Sequence, residues 1–84
     1  MPLKNIEITK LEIVRRMHGW SQRELGMNSI PILHQGTVSL LERGGKTSDE
    51  TLLAISHALG WSRAAKELLE PWKGEDLAQF IEEI

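Results

Sequence analysis

The sequence predicts an all-α domain, a compact bundle of five to six short helices. Three observations carry that prediction. Capping residues and glycine stops cut the 84-residue chain into short segments. Within those segments apolar residues return at the spacing of one helix face. No stretch alternates apolar and polar residues for long enough to make a strand.

Thr9 and Glu12 have capping-box spacing, so a first helix begins there, with Leu11, Val14 and Met17 inward and Gly19 as its stop. Ser21 and Glu24 form a second box, and Trp20 and Leu25 around it have the spacing of a hydrophobic staple. This second helix runs to about Asn28. Pro31 lacks an N–H and disfavours a helical Ile30, so residues 29–33 form a turn or broken segment. A third helix fits 35–43, with Val38 and Leu41 inward and Gly44-Gly45 at its end. Thr47 or Ser48 caps a fourth, Thr47 being at box spacing from Glu50; Leu52, Ile55 and Leu59 line its inner face and Gly60 ends it. Ser62 caps a fifth helix that Pro71 closes. A sixth spans about 75–84, with Leu77, Phe80, Ile81 and Ile84 as an apolar stripe.

Length bounds the chain to a single domain. It has no cysteine, so neither disulfides nor thiolate zinc sites staple it. No apolar run is long enough to span a bilayer, and the amino end lacks the apolar stretch of a signal peptide, which reads as a cytoplasmic protein with no membrane partner. His18, His34 and His57 fall on different segments without ligand spacing, so no metal is expected. There is no nucleophile elbow and no glycine-rich phosphate loop; neither an enzyme nor a cofactor is expected. Net charge is −2, unevenly spread. Residues 1–46 hold seven Lys/Arg against four Asp/Glu, and residues 47–84 hold three against eight, which suits different partners for the two halves.

A helix ending at Gly19, a capped short helix, a turn, and a short helix ending at Gly44 is the order of a helix-turn-helix. Gly-Trp-Ser-Gln-Arg-Glu-Leu at 19–25, Gln-Gly-Thr-Val-Ser-Leu-Leu-Glu-Arg-Gly at 35–44 and Ser-Asp-Glu-Thr-Leu-Leu-Ala-Ile-Ser-His-Ala-Leu-Gly-Trp-Ser at 48–62 resemble the phage-repressor and Cro-like, or XRE, helix-turn-helix proteins. The resemblance implies a lambda-repressor-like fold whose third helix enters the major groove of duplex DNA, amino end first. It implies base reading by Gln35, Gly36, Thr37, Ser39 and Leu40; a Gln amide pairs with adenine at N6 and N7. Phosphate contacts fall to Ser21, Gln22, Arg23, Arg43 and Lys46, and a structural ion pair to Arg15 and Glu42.

Three features depart from the family's pattern. The 26–34 segment is longer, Gly26 stands where alanine is usual, and the groove-facing positions before Arg43 carry no Lys or Arg. The expected function is a sequence-specific, double-stranded DNA-binding transcription regulator working as a homodimer on a two-fold operator. Residues 71–84, outside a helix-turn-helix domain of residues 1–70, are expected as an amphipathic segment that either makes the dimer contact or folds back onto its own domain. The alternative is a protein-interaction module on the same fold, its acidic half docking a partner protein.

Overall fold

The computed structural model describes residues 8–72. It holds four α-helices, α1 (Lys10–Met17), α2 (Gln22–Asn28), α3 (Gln35–Glu42) and α4 (Asp49–Leu59), followed by a 3₁₀ helix, Ala65–Leu69. The helix expected over 75–84 lies outside the described residues. No helix of the described residues is long and apolar enough to cross a membrane.

Local chemistry sets most of the boundaries. The Thr9 hydroxyl accepts from the Glu12 N–H and starts α1. Ser21 and Glu24 form a complete capping box at the start of α2: Glu24 N donates to the Ser21 hydroxyl at 3.1 Å, and Ser21 N donates to the Glu24 carboxylate at 2.8 Å. Ser48 caps α4 through the Thr51 N–H. Thr51, not Glu50, thus stands three residues into the helix, and Thr47 is not the cap. Gly19, Gly44 and Gly60 all have positive φ, the left-handed step that ends a helix without steric cost when Cβ is absent.

The helices enclose one apolar cluster of Leu11, Val14, Leu25, Val38, Leu41 and Ile55, with Leu59, Trp61 and Leu68 completing it. α2 packs on α3 and α4, while α1 packs on α3 and the 3₁₀ helix. Trp20 and Leu33 lie half-buried against the same cluster. His18 pins the far end of α1, its Nε2 donating to the Leu59 carbonyl at 2.8 Å while its ring stacks on Trp20. The ends of the described chain are tied together: Lys10 N donates to Glu70 O at 2.9 Å, and Trp72 N to Ile8 O at 2.7 Å. The Lys10 ammonium adds ion pairs to Glu67 and Glu70.

Two expectations require correction. Met17 is 38% exposed, whereas Lys10 and Arg15 are buried; α1 sinks these two charged residues because fixed partners across the fold, Glu67 and Glu42, receive them. The helix expected to start at Ser62 is instead a 3₁₀ turn beginning at Ala65. Ala64 is extended (ψ 131°), and its carbonyl accepts the Trp61 indole N–H at 3.0 Å. Anchoring Trp61 in this way holds residues 62–64 out of helical conformation.

The lengthened segment after α2 explains the unusual glycine. Leu33 N donates to Gly26 O at 3.0 Å, which folds the loop back across the helix. A Cβ on Gly26 would lie 2.3 Å from the Leu33 carbonyl oxygen, a backbone atom that cannot swing aside. Buried Ser29 completes the turn, its hydroxyl donating to Leu25 O. Gly36 is the internal control, because a Cβ there would meet nothing within 4 Å. Gly26→Ala is expected to destabilise the domain by about 1–3 kcal/mol through overpacking, whereas Gly36→Ala stabilises it by up to about 1 kcal/mol through helix propensity. Urea unfolding of the two variants beside the parent checks the opposite signs.

Candidate nucleic-acid interface

α3 is capped by His34, which makes no side-chain cap bond, and ends at Arg43. Its inner face is set by fully buried Val38 and Leu41. Helical spacing therefore turns Gln35, Gly36, Ser39 and Leu40 away from the core. Gln35 and Gly36 are exposed, Thr37 and Ser39 half-buried, and Leu40 is 42% exposed. Leu40 lies over Gly45: a Cβ on Gly45 would stand 2.5 Å from a Leu40 methyl. The Arg43 guanidinium reaches back one turn to donate to the Ser39 hydroxyl at 3.2 Å. The outward surface of α3 thus carries an amide, a bare backbone position, hydroxyls and one apolar side chain, with its single cation at the carboxyl end.

Around it stand the residues expected at phosphates. Arg23 and Lys46 are exposed, on α2 and on the strand of chain leaving α3. Ser21 is exposed; its hydroxyl oxygen caps α2, and its O–H remains to donate. Its own backbone N–H is taken by Glu24. Gln22 is half-buried and engaged within the protein.

Beneath this surface runs a continuous polar chain. Arg15 and Glu42 meet as a two-pronged pair, Nε to Oε2 and a terminal nitrogen to Oε1 at 3.1 Å. The other terminal nitrogen of Arg15 donates to the Trp20 carbonyl at 2.7 Å, which fixes the link into α2. The Glu42 backbone carbonyl accepts the Thr9 hydroxyl. Gln22 Nε2 donates to Glu42 Oε1 at 2.9 Å, and Gln35 Nε2 donates to Gln22 Oε1 at 2.7 Å. The structure therefore joins Arg15, Glu42, Gln22 and Gln35 in sequence, from the interior to the exposed end of α3. Sequence reasoning placed all four residues but not the links through Gln22. The available signal was the matched placement of a glutamine at the first position of both α2 and α3.

The pair is nearly dry: the side chains of Arg15 and Glu42 are 10% and 3% exposed. Removing one partner strands a buried charge, while removing both exchanges the pair for packing. Arg15→Met and Glu42→Leu alone are each expected to cost about 3–5 kcal/mol, and the double substitution far less than their sum. A double-mutant cycle by chemical denaturation measures this.

The comparison with known families agrees with the geometry. The helix-turn-helix family profile matches residues 11–64, the span from α1 to the turn before the 3₁₀ helix. No curated protein and no solved structure gives a significant match. The match covers well over half of the chain, including α1 through α4. The chain belongs to the XRE-type, phage-repressor and Cro-like helix-turn-helix family of DNA-binding regulators.

Proposed function

We propose that this protein is a sequence-specific transcription regulator that lays α3 in the major groove of duplex DNA. The carrying observation is Gln35: exposed at the amino end of α3 and held from behind by Gln22. An anchored amide at the leading end of such a helix suits direct readout of a base edge. Gly36 lets the backbone approach the duplex closely, and Thr37, Ser39 and Leu40 supply further contacts. Arg23, Arg43 and Lys46, with the Ser21 hydroxyl and the second N–H of Gln22, serve the phosphates. No cofactor or catalytic group enters this reading, and the protein works in the cytoplasm.

A homodimer on a two-fold operator fits the same reading. Such a dimer sets its recognition helices about 34 Å apart, one turn of DNA. This reading assigns the contact to the region beyond the helix-turn-helix, residues 71–84, where the sequence spaces Leu77, Phe80, Ile81 and Ile84 at helical intervals.

A protein-interaction role on this fold is the second reading. One observation favours it: Ile30 and Ile32 are 89% and 71% exposed, and Leu53 of α4 lines the same groove as Ile30. Exposed apolar surface of this kind marks contact sites.

Duplex binding is expected to weaken steeply with salt, because phosphate neutralisation releases counterions. Gln35→Ala is expected to relax preference at one base pair, losing about 1–3 kcal/mol on the best site. Arg43→Ala is expected to weaken all sequences alike. Fluorescence anisotropy titrations on selected and random duplexes at several salt concentrations measure all three effects. Equal losses for both variants on both duplexes would leave Gln35 without a reading role, and absence of duplex binding at low salt would favour the protein-interaction reading. Truncation after Lys73 is expected to leave the domain folded and abolish the dimer, as read by sedimentation. A truncated protein that keeps both its oligomeric state and its DNA affinity contradicts the dimer assignment.

A further inference from the structure

The inner face of α4 is fixed by buried Leu52, Ile55 and Leu59. Helical spacing turns Glu50, Leu53, Ala54 and His57 to the opposite side, within an arc of roughly 100°. Glu50, Leu53 and His57 are exposed, whereas Ala54 is buried. With Ile30 of the α2–α3 loop these residues line a hollow of about 660 Å³. Ile30 is 89% exposed and Leu53 52% exposed, so two large apolar side chains stand in water beside it. The order along the helix is symmetric about its middle. A large residue, Leu53, adjoins a small one, Ala54; an acid lies three positions before the first and an imidazole three positions after the second.

We propose that a second copy of this chain docks on this face, its α4 antiparallel to the first about a two-fold axis between residues 53 and 54. In that register Leu53 of each copy meets Ala54 of the other, large against small. Glu50 of each copy meets His57 of the other, a carboxylate acceptor against a ring N–H. Both matches occur twice, as a two-fold contact requires. A parallel pairing sets Glu50 against Glu50 and Leu53 against Leu53, and any other antiparallel register separates the acid from the imidazole. Charge complementarity therefore selects both the occupant and the register. The contact is small. α4 has 11 residues, about 16 Å of helix. Such a contact falls in the weak, transient class that covers less than about 1,200 Å². It is distinct from the dimer contact assigned to residues 71–84, and it operates between copies already held close, as by neighbouring sites on one duplex. That consequence rests on the DNA-binding reading; the contact itself does not.

The chain has no cysteine, so Glu50→Cys with His57→Cys adds the only two thiols to the full chain. Along one helix these positions lie about 10 Å apart, beyond the roughly 7 Å between Cα atoms that a disulfide spans. A bond therefore forms only between copies. Under mild oxidation at high protein concentration the double variant is expected to give covalent dimer at least about fivefold faster than either single variant, whose thiols meet only by collision. Adding Leu53→Gln, which keeps helix propensity at an exposed position, is expected to bring the double variant down to the single rates. In the unsubstituted chain, raising the concentration is expected to shift the amide resonances of residues 50–57, and Glu50→Lys to suppress that shift. A double variant that cross-links no faster than the singles overturns the proposal and leaves the hollow to a different protein. Fast cross-linking that survives Leu53→Gln also overturns it, because the thiols then meet without the apolar match. Resonances of 50–57 that ignore concentration overturn it too. None of these readouts involves duplex, so a parent chain that binds no DNA counts against the DNA-binding reading alone.

Discussion

The structure turns on the buried pair of Arg15 and Glu42. Every nitrogen of the guanidinium is used: two face the carboxylate and the third holds the Trp20 carbonyl between α1 and α2. Glu42 is the last residue of α3, and its backbone carbonyl takes the Thr9 hydroxyl that also caps α1. One pair therefore locks the start and the far turn of α1, the approach to α2 and the end of α3. Attraction between two buried charges is largely offset by the loss of their hydration, so its net contribution to stability is small next to that of the apolar cluster. What it contributes is angle and register: a two-pronged contact accepts few relative positions of α1 and α3. The apolar cluster alone, built from interchangeable shapes, would tolerate more.

A second constraint lies at the other side of α3. The loop between α2 and α3 is folded back over α2 instead of being extended into solvent. That return brings the Leu33 carbonyl onto the helix at a point where no side chain fits, and Gly26 supplies the vacancy. The two departures from the family pattern are thus a single adaptation. The helix-propensity cost of the glycine, about 1 kcal/mol, is offset by the loop packing it permits. The same excursion displays Ile30 and Ile32 on the outside, Ile30 lining a groove with Leu53 of α4.

What was legible in the sequence was what depends on neighbours along the chain. Ser21 with Glu24 defines its helix start because both partners lie within one turn, and Gly19, Gly44 and Gly60 mark helix ends because the left-handed step is a property of a single residue. The periodic positions Leu11, Val14, Val38, Leu41, Leu52 and Ile55 are buried for the same local reason. The rest depended on residues distant in sequence. Met17 lost its place in the core while Arg15 gained one, because the partner of Arg15 is 27 positions away. The 3₁₀ helix replaced an ordinary helix because Trp61 claims the Ala64 carbonyl. At the candidate interface the residues were visible one by one, but the link from Gln22 to both Glu42 and Gln35 exists only once α2 and α3 are packed.

Whether the outward face of α3 reads duplex sequence is decided by selection from a random duplex library at moderate salt. Enrichment of a discrete motif, arranged about a two-fold axis with half-sites about one helical turn apart, is expected. Recovery of sequences no different from those retained by an unrelated acidic protein would contradict it.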